Sequence, residues 1–503
     1  MYLHWRADGQ LAGFDSPTVQ VRLSFAAAGH LNQETQTHGD DWRYACVHRF
    51  DAAGRPHATT LGTAPVIEWL TYGPGHLHGI RLAEWGLDIE RDALHREIER
   101  NACAESSPAP IFTETRRYTE RGQLRASRFA PALGTPWERT YQYDALGFLV
   151  DLHDNTSGPI AYAYDASGRL ISSRHNQIEH HYRFDPAGNR LDAEHESRRR
   201  PSGEEWARIV RERIHDPGFN PLMEFGPDAS GPSRCLDNRI HSLAGTRNRH
   251  DGAGNLIEQL RADGTHLELG YDGAHRLVQL KRSDADGTIT IVGYAYDALS
   301  RRIAKTVTGP DGTTATTRYG WDGERLVCED DGERTLTVLY EPGSFVPVLR
   351  IEQERGEPAD EDEAATQAAL DQVVRLCAAE GIELPGALQP QASTRISLYV
   401  TDHLGTPLRL VGQEGAIEWQ ARPDDWGAVR EQHGIRQPVR FQGQWEDEES
   451  GFYYNRYRYY DPAMGRYVTQ DPIGLEGGSN VFSYPYNPTS SIDPLGLQSY
   501  MCR

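Results

Sequence analysis

Three stretches decide how this chain is read: Tyr143-Asp144-Ala145-Leu146-Gly147, Tyr164-Asp165-Ala166-Ser167-Gly168-Arg169-Leu170 and Phe184-Asp185-Pro186-Ala187-Gly188-Asn189-Arg190-Leu191. Each is an aromatic followed by Asp and, three residues after the Asp, Gly. Successive aspartates are 21 and 20 residues apart. The pattern returns as His250-Asp251-Gly252-Ala253-Gly254-Asn255-Leu256, Tyr271-Asp272-Gly273-Ala274-His275-Arg276-Leu277, Tyr296-Asp297-Ala298-Leu299-Ser300-Arg301-Arg302 and Trp321-Asp322-Gly323-Glu324-Arg325-Leu326, at spacings of 21, 25 and 25. Looser copies sit at Phe50-Asp51 and Tyr118-Thr119. An Asp side chain caps a turn by accepting backbone N–H groups, and Gly supplies the positive φ that the turn needs. Arg-Leu or Asn-Leu then opens a return strand. Each unit therefore predicts a β-hairpin of about 20 residues. One hairpin is marginal alone, but stacked hairpins make a continuous sheet with the aromatics in register.

Composition agrees. The chain has 503 residues, 24 Tyr, 13 Phe, 10 Trp, 49 Gly and only 4 Met, a balance that favours strands and tight turns over helical bundles. So many aromatics exclude a disordered acidic chain. The net charge of −21 opposes binding to phosphate backbones or anionic lipid, so no nucleic-acid partner is expected. The triplet Arg198-Arg199-Arg200, inside the polar stretch 194–204, reads as a solvated turn. No apolar run approaches the ~18 residues of a membrane helix, and the first residues do not form a signal peptide. Six scattered cysteines (Cys46, Cys103, Cys235, Cys328, Cys377, Cys502) have neither zinc-site spacing nor a disulfide framework. His76 and His78 would share a strand face, and His180-His181 would not, but spacing supplies neither pair with a third ligand. No nucleotide, zincin or α/β-hydrolase motif appears, and no cofactor or metal is expected.

One segment differs in kind. Residues 352–391 are acidic and Ala-rich, and Ala365, Ala369, Leu370, Val373, Val374 and Cys377 fall at helical spacing. They predict one inserted amphipathic helix near 362–380, ended by Gly381 and Pro385. The organisation expected is a repeat strip over 1–340, an acidic linker with that helix over 341–395, a C-terminal core over 396–497 and a short tail over 498–503.

The C-terminal block is patterned most strongly. It runs through Tyr399-Val400-Thr401-Asp402-His403-Leu404-Gly405-Thr406-Pro407, Asp425-Trp426-Gly427, Arg440-Phe441-Gln442-Gly443-Gln444 and Gly451 to Pro462. Alternation of Arg456, Tyr457, Arg458 and Tyr459 would put two guanidiniums on one strand face and the aromatics on the other. Two Asp-Pro-x-Gly-Leu motifs follow, at Asp471-Pro472-Ile473-Gly474-Leu475 and Asp493-Pro494-Leu495-Gly496-Leu497. Asp, Pro and Gly at these positions suit a type I turn, and that alone would explain them. Brought together, however, two aspartates cannot both ionise cheaply, so one could act as base on a water and the other as acid.

These motifs, with Tyr182-Arg183-Phe184-Asp185, Tyr72-Gly73-Pro74-Gly75-His76 and Glu90 to Glu97, resemble the YD repeat and repeat-associated core of Rhs proteins, found also in the C component of insecticidal toxin complexes and in teneurins. The aromatic common near Pro423 is Arg422 here. The resemblance implies an all-β YD-repeat strip spiralling into a hollow shell, whose closure it leaves open. It implies a polymorphic toxin used between bacteria, encapsulating its cargo. Such a protein is held in the cytoplasm and exported by a contact-dependent route such as type VI secretion, without a signal peptide. Partners on that footing are a C-terminal or separate toxin chain, an immunity protein, and a secretion spike or chaperone. The resemblance further implies a self-cleaving aspartyl site: Asp471 and Asp493 as the dyad, Arg466 as the assisting cation, and a cut between Leu497 and Gln498. Only six residues follow Leu497, which leads to the expectation of a truncated or displaced member without toxin cargo. The competing expectations are a non-catalytic scaffold, a carbohydrate-binding surface protein, and a glycoside hydrolase using the same carboxyls.

Overall fold

The computed structural model describes residues 2–39, 42–104, 109–191, 235–354, 393–497 and 499–501, together with Arg211 and Val373. The stretch 194–204 and most of the helix expected near 362–380 lie outside them, as does Gln498. Among the described residues the chain is nearly all β, with one short 3-10 turn at Gly474–Gly477. No helix is long and apolar enough to cross a membrane.

Two long meanders dominate. The first has 17 strands from Tyr2–Trp5 to Ile178–His181, and the second has 15 from Ser242–Leu243 to Val429–Gly434. Each strand pairs antiparallel with the next in sequence. The second meander runs across the acidic insertion without losing register, because Glu354 of Pro347–Glu354 pairs with Ser393 of Ser393–Thr401. The strip therefore continues past residue 340 into the C-terminal block. A separate four-stranded ladder then runs from Trp445–Asp447 to Arg466–Tyr467.

The repeat explains the hairpin atom by atom. At Asp165 the backbone N–H donates to the Arg169 carbonyl, and Gly168 N–H returns to the Asp165 carbonyl. Oδ1 accepts the N–H of Ser167 and Arg169 at 2.9 and 3.0 Å, and Oδ2 accepts Arg169 Nε at 2.6 Å. The same set recurs at Asp51, Asp272 and Asp297, with Asn replacing Arg at Asp185 and Asp251. At these turns the residue three after Asp is left-handed: Gly168 at φ 78°, but also His275 at 59° and Ser300 at 61°; at Asp322 it is the next residue, Gly323, at 59°.

The aromatic before Asp joins one hairpin to its predecessor. Tyr143 donates its hydroxyl to the Leu124 carbonyl (2.9 Å), Tyr164 to Leu149 (2.5 Å), Tyr271 to Leu256 (2.8 Å) and Tyr296 to Leu277 (2.7 Å). Trp321 does the same with Nε1 to Arg302 (2.9 Å). The arginine four after each Asp reaches the other way, so that Arg276 lies 5.1 Å from the Tyr296 ring and Arg169 5.4 Å from that of Phe184. Replacing Tyr271 by Phe keeps the ring but strips the Leu256 carbonyl of that partner. Chemical denaturation should show a loss of about 1 kcal/mol, whereas the same change at exposed Tyr2 should show none.

The meanders pack against each other through one apolar core that includes Trp42, Tyr44, Trp85, Leu87, Tyr319, Trp321 and Leu349. Polar links cross the seam: Trp42 Nε1 donates to Asp330 (2.9 Å), and Arg301 pairs with Glu34 (2.6 Å). Strand Arg325–Asp330 is covered on both faces. Asp330 meets Trp42, and Glu329 on the opposite face takes Arg436 from the C-terminal block. Two-sided cover is why residues 326–330 are buried without alternation.

The C-terminal ladder docks through Arg302. Its guanidinium lies 4.4 Å from the ring centres of both Tyr319 and Tyr454 and donates to Asp447 Oδ2 at 2.9 Å. Tyr294 and Ser450 donate to Asp447 Oδ1 at 2.9 and 2.8 Å. Arg302 is 1% exposed and Asp447 0%.

Candidate functional site

The ladder turns sharply at Arg456 and Tyr457. Asn455 pairs with Arg458 across a two-residue hairpin, and Arg456 takes φ 51°. The two arginines therefore do not share a strand face, contrary to the alternation read from sequence. Arg456 leaves the ladder to bond Glu324 and the carbonyls of Ser300 and Leu299. Arg458 turns inward.

Around Arg458 the two Asp-Pro turns meet. Its Nη2 is 2.9 Å from Asp471 Oδ2 and 3.4 Å from Asp493 Oδ2, so the carboxyls lie no farther apart than these two lengths laid end to end. Its Nη1 donates to the Val481 carbonyl (3.0 Å), which also accepts Asp471 N–H (2.8 Å). Its Nε donates to the Gly496 carbonyl (2.5 Å), and its Cζ lies over the Tyr467 ring, 3.6 Å from the ring centre. The side chains of Arg458, Asp471 and Asp493 are at most 4% exposed.

Each carboxyl also caps its own turn. Asp471 Oδ1 accepts Ile473 N–H, and Asp493 Oδ1 accepts the N–H groups of Gly496 and Leu497 at 2.9 and 3.0 Å. Asp493 Oδ2 accepts the Tyr467 hydroxyl at 2.9 Å. Asn455 Nδ2 donates to the Asp493 carbonyl and to Tyr467 Oη, both at 2.8 Å. Burial raises the pKa of both aspartates above the ordinary 3.8, outweighing the opposing charge of Arg458.

The Leu497 carbonyl borders this pair. A Cβ on Gly477 would stand 2.3 Å from Asp471 Oδ2 and 2.7 Å from Leu497 O. The absent side chain at Gly477 is what lets the carbonyl and the carboxyl share one space.

Arg466, the assisting cation expected from sequence, is elsewhere. It shares the short strand Arg466–Tyr467, and neighbouring residues on a strand face opposite ways. Tyr467 faces the carboxyls, so Arg466 points to the repeat strip, bonding Asn189 Oδ1 (3.2 Å) and the Asn238 carbonyl. Sequence reading missed Arg458, Tyr467, Asn455 and Gly477. The period-two alternation at Arg466-Tyr467 was the signal available for Tyr467.

His76 and His95 stack at 4.0 Å, and Tyr72 Oη lies 2.9 Å from His95 Nδ1. His78 lies 6.0 Å from the Tyr72 ring.

Known proteins resemble the chain at both levels. A family model described as RHS protein matches residues 396–433, and one described as RHS Repeat matches 250–289. Toxin protein Tse5 of Pseudomonas aeruginosa is 45% identical over 498 residues, covering 98% of this chain and 37% of the relative. Double-stranded DNA deaminase toxin A of Burkholderia cenocepacia is 31% identical over 462 residues, covering 88% of this chain and 28% of the relative. The chain thus spans about a third of the length of these relatives. In fold it is similar to the Photorhabdus luminescens Tc holotoxin pore, with a TM-score of 0.68, 15% identity, and coverage of 100% of this chain and 25% of that one. A crystal structure of TcdB2-TccC3 with Cdc42 gives 0.59 at 15% identity, covering 98% and 25%.

Proposed function

We propose that this chain, which belongs to the Rhs (YD-repeat) family, is the β-ribbon wall of a polymorphic toxin used between bacteria, and that it cuts its own backbone once after Leu497. In this reading the ionised member of the Asp471–Asp493 pair takes a proton from water as the water oxygen attacks the Leu497 carbonyl carbon. The protonated member gives its proton to the Gln498 nitrogen as the C–N bond breaks. The products are a carboxyl at Leu497 and a free amine at Gln498. Arg458, in place of Arg466, holds the ionised carboxylate and offsets negative charge developing on the carbonyl oxygen. The observation that carries the reading is the joint approach of Leu497 to both carboxyls, its N–H on Asp493 and its carbonyl beside Asp471.

The segment after Leu497 is then what the cut releases. The wall is made in the cytoplasm and leaves by a contact-dependent, type VI-like route. An immunity protein and a spike or chaperone are its partners. The domain division proposed is repeat strip, acidic insertion and core. A scaffold without catalysis draws on the turn-capping bonds that both aspartates already make. A glycoside hydrolase fits poorly, because its carboxyl pair must be open to a sugar and the side chains of Asp471 and Asp493 are at most 4% exposed.

A C-terminal tag separates these readings: wild type loses it on expression if the chain self-cleaves, and keeps it if the block is only a scaffold. The pH profile adds a second test. A carboxyl with a raised pKa keeps its proton above the ordinary range and loses it as pH climbs. The release rate should fall as pH rises past the point where both carboxyls ionise. It should fall again in strong acid, where neither can act as base. A rate flat from mild acid into the alkaline range would count against a shared proton.

A further inference from the structure

A second cluster of chemistry-bearing side chains shares no residue with the aspartate pair and lies where the two meanders meet. Cys46 and His48 are two apart on strand Trp42–Phe50 and so point to the same face. Asp322 ends strand Thr314–Asp322 of the other meander. Cys46 Sγ is 3.4 Å from His48 Nε2, and that nitrogen is 3.0 Å from Asp322 Oδ1. All three donor atoms lie within 4.8 Å of one another. Donors around a tetrahedral zinc ion, with bonds of about 2.0–2.3 Å, stand roughly 3.3–3.8 Å apart.

The surroundings orient each donor. His48 Nδ1 is 3.0 Å from Thr59 Oγ1, which also receives Trp69 Nε1 at 2.8 Å. When Nδ1–H donates to Thr59, Nε2 presents a lone pair to a thiol and a carboxylate at once, an arrangement that a cation between them satisfies. Arg325 pairs with Asp322 Oδ2 and leaves Oδ1 for the cluster. Cys46 is 1% exposed, while the side chains of His48 and Asp322 are 16% and 14% exposed and give an ion a way in.

We propose that Cys46, His48 and Asp322 bind one divalent ion of the zinc class, with water in the fourth position, clamping the two meanders together. One sulfur, one imidazole and one carboxylate form a donor set that suits Zn²⁺. Binding requires the thiolate. Metal entry forms the Zn–S bond and releases the thiol proton to solvent. Neither ligand spacing nor cysteine count revealed the site, because its third donor comes 274 residues after His48.

The test is Co²⁺ titration of the full chain after stripping with a chelator. One equivalent should saturate a near-ultraviolet thiolate-to-cobalt band, and Zn²⁺ should displace it. Cys46→Ser should remove the band. Thr59→Val, which keeps all three donors, should weaken binding about 10-fold or more. Zn²⁺ should raise the thermal midpoint of wild type but not of Cys46→Ser. Absence of the band in wild type, or undiminished Co²⁺ affinity in a Cys46→Ser chain that melts like stripped wild type, overturns the proposal. Should Cys46→Ser fail to fold, Thr59→Val decides, and unchanged affinity there refutes the oriented site.

Discussion

Replacing Asp493 by asparagine should leave the chain uncut after Leu497, slowing tag release by about 10²–10⁴-fold. An amide cannot carry the shared proton or act as base, yet it can keep much of the geometry. Its oxygen can still accept the N–H groups of Gly496 and Leu497, as Asp493 Oδ1 does. Asp471→Asn should behave alike. Gly477→Ala probes a different link, because it keeps both carboxyls and fills the space between Asp471 and the Leu497 carbonyl. It too should block release, by displacing the bond and not by removing the chemistry. Arg466→Met, by contrast, should leave the rate within a few-fold, since Arg466 bonds the repeat strip. Mass spectrometry of the purified chain reads each outcome. Release from Asp493→Asn at the wild-type rate would end the aspartyl reading, and a strong defect in Arg466→Met alone would return the assisting role to it.

The largest stability effect is expected at Arg302. Changing it to Met keeps the aliphatic bulk among Tyr319 and Tyr454 but takes the ion-pair partner from Asp447, which is 0% exposed and keeps only Tyr294, Ser450 and the more distant charge of Lys305. Breaking a buried pair from one side costs about 3–5 kcal/mol. Urea denaturation should show that loss. Combining Arg302→Met with Asp447→Leu should recover part of it, because no unpaired charge is then left inside. A single-variant loss below about 1 kcal/mol would mean that the pair is solvated or replaceable.

The hairpins were legible because they are written locally. Asp, the left-handed residue and the returning Arg or Asn lie within five positions of one another, so spacing alone carries the turn. Stacking of neighbouring hairpins was legible too, from the recurrent aromatics, whose hydroxyl bonds run to the hairpin just before, but the single strip expected over 1–340 is divided into two meanders, which the repeat does not mark. The aspartate pair was legible only as a motif. Asp471 and Asp493 stand out through Pro and Gly, whereas Arg458 looks like one more arginine in a tyrosine-rich strand. The tight turn at Arg456 separates it from its neighbour and aims it inward. Arg466 is the assisting cation that the family resemblance implies, but the alternation that presents Tyr467 to the carboxyls sends Arg466 the other way. Gly477 has no side chain to notice, and its role exists only once Leu497 folds back beside Asp471.

The tyrosine bonds give the ribbon a polarity. At Tyr143, Tyr164, Tyr271 and Tyr296 the hydroxyl bond runs to the hairpin synthesised just before. A chain leaving the ribosome can therefore lay down the strip course by course, each finished edge serving as template for the next. Asp471 and Asp493, which follow both meanders in sequence, come together around Arg458 of the four-stranded ladder.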